Sequence, residues 1–150
     1  MGSDGIERKM TEGIELTEKK IRVLLAKKKI DVHGRGTKLF ARELRDAGME
    51  VIYFRFGTVD EIVNAALQED VDVIGVSIMT SGHLRVAERL IPALKAKGVT
   101  EVLVIMGGVI PEVDFEPLKK MGVHEVFAPG LPGETIADYI RNRVGKASLN

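Results

Sequence analysis

The chain has 150 residues, 45% of them hydrophobic, and its 22 Lys+Arg balance 22 Asp+Glu. A zero net charge offers no basic field to gather nucleic acid or an anionic membrane, and aromatics at 5% are too few for base-stacking surfaces. The absence of cysteine excludes disulfides, thiolate metal sites and cysteine nucleophiles.

Residues 1–19 are polar, contain glycine and show weak periodicity, so they read as a flexible N-terminal arm. The opening MGSDGIERKMTEG lacks the apolar segment of a signal peptide, and no apolar run approaches the roughly 20 residues of a membrane span. A soluble, cytoplasmic domain with one core is expected over residues 20–144, followed by a frayed C-terminal tail over 145–150. Within the domain, short β-branched runs occur at IRVLLA (21–26), EVIYF (50–54), VDVIGVS (71–77), EVLVIM (101–106) and HEVFA (124–128). Segments of helical spacing separate them. The first ends at Gly48, a natural C-cap, and the second opens with Thr58 and Glu61 at capping-box spacing. The third ends at Gly98, the fourth at Gly122, and GETIADYIRNRVG forms the fifth.

Five strands alternating with five helices imply right-handed crossovers. The fold class is therefore α/β: a flavodoxin-like (Rossmann-like), doubly wound, five-stranded parallel sheet in the order 2-1-3-4-5, with helices on both faces. In that order ligands sit beyond the carboxyl ends of the strands, at the switch point between the first and third.

The unusual residues fall on that rim. Asp31, His33, Gly34, Arg35 and Gly36 follow the first strand; Ser77 and Met79 end the third; Gly107 and Gly108 follow the fourth, and Gly130 the fifth. Glycines there let a large ligand approach the backbone. Neutral imidazole is a good transition-metal ligand, usually oriented by a carboxylate on its second nitrogen, and Asp31 stands two residues from His33. No second histidine, cysteine or carboxylate cluster completes a four-ligand site. A single protein ligand suffices when a macrocycle supplies the rest, which points to haem or a corrin. Of the other histidines, His83 is expected to cap the third helix and His124 to open the fifth strand.

The stretch D-V-H-G-R-G, with Ser77-Ile78-Met79 and Gly107-Gly108 in order behind it, resembles the three-part signature of cobalamin-binding domains. The wider match, from about Ile21 to Arg143, is to the cobalamin-binding domain or small subunit of the methylmalonyl-CoA mutase class. ARELRDAGMEVIY, EIVNAALQEDVDVIGVSIMTSGH and MGGVIPEVDFEPLKKMGVHEVFAPG all look like that class. The resemblance implies adenosylcobalamin as cofactor, bound base-off, with His33 on the lower axial position of cobalt. Asp31 and Lys27 would form a relay behind the histidine. The nucleotide tail would thread between sheet and helices where Gly36, Gly107, Gly108 and Gly130 leave room, and Ser77 would hydrogen-bond its benzimidazole.

This sequence departs from the class at Lys29 and Val32, where glycines are usual, at Gly34, where an aspartate is usual, and at Met79 and Leu131. A barrel for an acyl-CoA substrate needs ~250 residues, so the resemblance implies a small subunit that presents the corrin to a separate, large barrel subunit. That partner would bind the acyl-CoA, with methylmalonyl-CoA the first expectation and isobutyryl- or hydroxyisobutyryl-type isomers beside it. The chain is then one part of an isomerase, inactive alone, with no nucleic acid or membrane partner. The alternatives are the small subunit of a glutamate-mutase-type enzyme and a corrinoid carrier, chaperone or sensor. Response regulators share the architecture but need an aspartate and a lysine where this chain has Ser77 and Pro129.

Overall fold

The computed structural model describes residues 19–31 and 34–149. The expected N-terminal arm, Lys19 apart, lies outside the described residues, as do Val32, His33 and Asn150. In chain order the elements are β1 (Arg22–Lys28), α1 (Arg35–Asp46), β2 (Glu50–Phe56), α2 (Val59–Glu69), β3 (Val73–Ile78), α3 (His83–Ala96), β4 (Leu103–Gly108), a 3-10 turn (Glu112–Asp114), α4 (Phe115–Met121), β5 (Glu125–Phe127) and α5 (Gly133–Arg143). All strand pairs are parallel and the order is β2-β1-β3-β4-β5, as expected.

Strands covered on both faces need apolar residues on both, and the two sets sort cleanly. Leu24, Ala26, Ile74, Val76, Ile78, Val104 and Met106 join residues of α2, α3 and α4 in the larger core cluster. Val23, Val73, Leu103 and Ile105 meet Leu44 of α1 and Ile136, Ala137 and Ile140 of α5 in a smaller one. The capping box of α2 is formed: the Thr58 hydroxyl accepts from Glu61 N–H, and the Glu61 carboxylate accepts from Thr58 N–H. Among the described residues, no helix is long and apolar enough to cross a membrane.

The structure refines the sequence reading in three places. β2 runs on past Phe54 to Phe56, whose ring is buried. Extended Pro111 introduces the 3-10 turn ahead of α4. The tail is not frayed where it is described: Leu149 is buried in the larger cluster and its N–H donates to the Thr100 carbonyl at 2.9 Å. His124 assists, since its Nδ1 accepts from Val104 N–H at 3.0 Å while Nε2 lies 3.0 Å from the Ser148 carbonyl.

Two glycines separate conformational strain from steric exclusion. Gly48 and Gly108 both have positive φ, +93° and +111°, but a Cβ at Gly48 would meet open space, whereas one at Gly108 would overlap the carbonyl oxygen of Ile78. Gly48→Ala should cost about 1 kcal/mol, and Gly108→Ala roughly 3 kcal/mol or more. Urea unfolding of the two variants measures both, and equal losses would contradict the close approach of β4 to β3.

Candidate functional site

The register of the sheet creates a hollow at its carboxyl edge. Leu25 pairs with Gly75 and Gly75 with Ile105; one step on, Lys27 pairs with Ser77, Ser77 with Gly107 and Gly107 with Phe127. Successive residues of a strand face opposite sides, so these two rows share the face covered by α1 and α5. Two glycines and a serine in the middle of that face supply almost no side chain to fill the gap beneath the helices. The result is a slot of about 450 Å³, floored by Leu25, Gly75, Ser77 and Ile105 and walled by α1 and the β5–α5 segment. A Cβ at Gly36 or Gly130 would meet no atom within 4 Å, so both leave their walls smooth.

Thr37, in the first turn of α1, is buried and places its hydroxyl 3.1 Å from that of Ser77. This hydroxyl pair is set in a mostly apolar lining, with Glu43 of α1 its one charged member. Buried hydroxyls need partners, and the two supply one another.

Beside the slot the loop after β1 is held from both sides. Asp31 is 1% exposed. Its Oδ2 accepts from Met79 N–H at 2.9 Å, and its Oδ1 accepts from the Thr80 hydroxyl at 2.7 Å, so one carboxylate joins the β1–α1 loop to the β3–α3 loop. Lys27, equally buried, donates to the Asp31 carbonyl at 3.0 Å, with its Nζ 3.8 Å from Oδ2. Lys28 donates to the Ser81 carbonyl at 2.7 Å, and Arg55 of β2 to the Lys29 carbonyl at 2.7 Å. Burial by itself pushes the Asp31 carboxyl up. The Met79 and Thr80 hydrogen bonds and the charges of Lys27 and Lys28 reverse that, and the group lies below the usual carboxylate range.

Of the residues singled out in the sequence, Gly36, Ser77, Met79, Gly107, Gly108 and Gly130 come together in the slot. Lys27 and Asp31 form a pair beside it. Gly34 is the N-cap of α1 and Arg35 its exposed first residue, both on the rim and outside the lining. His33 lies outside the described residues.

The sequence reading missed Thr37 and Thr80. Thr37 had a signal: it continues the buried stripe of α1, with Ala41 and Leu44, at a place where an apolar residue would serve packing better. His83 does not cap α3. Gly82 is the N-cap, with φ +95°, and the His83 ring turns away to set Nε2 2.7 Å from Oδ2 of Asp114, fastening the β3–α3 loop to the 3-10 turn. Among the described residues, no three His, Asp or Glu side chains group to hold a metal ion.

Comparison with known proteins gives a consistent answer. The B12 binding domain family matches residues 21–135. The small subunit of 2-hydroxyisobutanoyl-CoA mutase from Aquincola tertiaricarbonis is 47% identical over 125 residues, covering 83% of this chain and 92% of that protein. The small subunit of pivalyl-CoA mutase from Xanthobacter autotrophicus is 42% identical, covering 80% of this chain and 81% of its own. Methylmalonyl-CoA mutase from Cereibacter sphaeroides is 37% identical over 97% of this chain, which spans 21% of that longer protein. In fold, a cobalamin-binding protein from Desulfitobacterium hafniense superposes with a TM-score of 0.70 at 23% identity, over 85% of this chain and 60% of that one.

The Asp31 tie makes a prediction that has a sign. With its folded pKa held below the unfolded value of about 3.9, Asp31 contributes stability that is fully present above pH ~5 and is lost as pH falls through the folded pKa. Asp31→Asn leaves Lys27 buried without its carboxylate and should cost about 3 kcal/mol at pH 7. The gap between wild type and variant in urea unfolding should narrow below pH ~4, and a gap independent of pH would show that the charge of Asp31 is not what joins the loops.

Proposed function

The chain belongs to the B12-binding domain family of acyl-CoA mutases, and on that premise we propose that it carries cobalamin base-off as the small subunit of such an enzyme, with His33 as the lower axial ligand of cobalt. The observation that carries this reading is the slot. It opens at the switch point between β1 and β3, beside the anchored loop that leads to His33. Its lining is apolar apart from the hydroxyl pair and Glu43 of α1, and it is made by glycines rather than by missing helices. A flat heteroaromatic base on a sugar-phosphate tether suits such a cavity, because the walls take its apolar faces and Ser77 offers a hydroxyl to its ring nitrogen. When bound, the cofactor supplies homolysis of its cobalt–carbon bond, which starts a radical rearrangement of the carbon skeleton. The chain's own task is to bind and orient. Asp31, fixed by Met79 and Thr80 and charged at neutral pH, supplies the acceptor that would orient the His33 imidazole, and Lys27 stands behind it.

The substrate class is a short, branched acyl-CoA, as the names of all three relatives state for those proteins. It would bind on a separate large subunit that closes over the corrin. The rim suits such a cover: Ile30, Val109 and Val113 are exposed apolar side chains on its loops, with Leu39 and Leu131 at the slot. Apolar patches of this kind mark contact surfaces. The assembled enzyme is placed in the cytoplasm, in keeping with a CoA thioester substrate. The loaded chain alone should leave acyl-CoA unchanged.

Electron paramagnetic resonance of the Co(II) form of cobalamin on the purified chain tests the ligand. Uniform nitrogen-15 labelling of the protein should change the nitrogen splitting, and His33→Ala should abolish that change. A splitting indifferent to protein labelling would mean that the cofactor keeps its own base, and the reading would fall. The slot has a separate test. A Cβ at Gly75 would make ordinary contacts, 3.5 Å to Leu25 and 3.6 Å to Ile105, so Gly75→Ala should fold with nearly wild-type stability. It would raise the slot floor and should weaken cobalamin binding about tenfold, a loss of roughly 1.4 kcal/mol. Unchanged affinity would place the tail elsewhere.

A further inference from the structure

Thr37 remains unused by the function above, yet it is one of only three polar or charged side chains buried among the described residues, the others being Lys27 and Asp31. Those two hold each other, whereas Thr37 has the Ser77 hydroxyl alone. Two hydroxyls bring two protons to one shared hydrogen bond. One proton is used between them and the other is left over, and among the described residues neither oxygen has a second partner. Both residues line the slot, so the spare proton is available only to what enters it.

The two members of the pair are not equivalent. Thr37 is β-branched and sits in a helix, where its χ1 has few choices. Ser77 stands one residue before the end of β3, unbranched, and its hydroxyl turns freely. Left alone, the Ser77 hydroxyl would spread over several directions. With the Thr37 hydroxyl donating to its oxygen, the Ser77 proton is directed away from α1, and donation into Ser77 also strengthens the bond that Ser77 then makes.

We propose that Thr37 is a positioning residue for the cofactor tail: by donating to Ser77 it makes the Ser77 hydroxyl a directed donor to the acceptor nitrogen of the nucleotide base. The inference rests on the reading that the tail occupies the slot. It also explains why a helical stripe that continues through Ala41 and Leu44 opens with a polar residue.

The test is spectroscopic titration of the full-length chain with cobalamin and with cobinamide, which has the corrin and cobalt but no nucleotide, for wild type, Thr37→Val and Thr37→Ser. Valine keeps the shape of threonine and removes the hydroxyl, while serine restores it. Wild type should prefer cobalamin. Thr37→Val should weaken cobalamin binding about tenfold and leave cobinamide within about twofold, and Thr37→Ser should recover most of the loss. If valine weakens both corrinoids alike, Thr37 only supports the fold, and if it weakens neither, the hydroxyl pair does not meet the base; either outcome overturns the proposal while leaving the slot as the tail site. A wild-type chain that binds cobinamide as tightly as cobalamin would instead overturn the tail-in-slot reading itself, and this inference with it.

Discussion

One buried carboxylate sets the geometry of the rim. At a topological switch point the chain leaves β1 for one face of the sheet and β3 for the other, so the two loops diverge and a crevice opens between them. Asp31 spans that divergence, with a backbone N–H on one oxygen and a hydroxyl on the other. Burying a carboxylate is expensive unless every oxygen is satisfied and a cation is near, and Lys27, the penultimate residue of β1, provides the cation. The amino edge of the same strand is stitched differently. There Arg22, partly exposed, reaches Glu50 on β2 and Glu69 on α2, in the solvated setting where ion pairs contribute little. The strand is thus tied at its amino end by a partly exposed arginine and at its carboxyl end by a buried carboxylate–lysine pair.

The slot is an omission in the packing, made by residue choice. On the amino half of the sheet, α1 and α5 bury Leu44, Ala137 and Ile140 against Val23, Val73 and Leu103. On the carboxyl half the same helices face Gly75, Ser77 and Gly107 and close on little. On the other face the larger cluster joins residues of α2, α3 and α4 to the sheet. The larger packed layer is therefore the one on the face away from the slot. A base entering the slot would complete the thinner layer, and anything that binds only the folded state stabilises it by mass action.

Much of this was legible in the sequence because the relevant signals are local. Strand and helix periods, the Thr58–Glu61 capping box and the rim glycines depend on neighbours within a few residues; all are found, although Gly107 and Gly108 end β4 rather than follow it. What stayed hidden depends on distant partners. Thr37 reads as an ordinary helix residue until Ser77 is brought beside it across 40 positions of chain. His83 is the first residue of α3 rather than its cap, and a neighbour 31 residues away offers its ring a partner. Leu149 follows a glycine in a polar stretch and still finds the core, because the Thr100 carbonyl and the His124 ring hold the last turn of chain against β4.

The rim ties also indicate which wall of the slot can adjust. Arg55 joins the β2 end to the β1 loop, Asp31 and Lys28 join that loop to the β3 loop, and the β3 loop is joined to β4 by the His83–Asp114 contact and by Val109 N–H on the Ile78 carbonyl. These links form a continuous chain from β2 to β4. Among the described residues, no hydrogen bond extends it to residues 128–131, which follow a strand of only three residues and are exposed. Gly130 sits there at φ +90° with open space on its Cβ side. The strand-end loops from β2 to β4 are braced and the β5–α5 wall is not, so an occupant longer or wider than the slot would be accommodated by displacing the β5–α5 segment. The β1 loop that Asp31 anchors belongs to the braced set, so the edge of the slot at the switch point would hold still while an occupant settles.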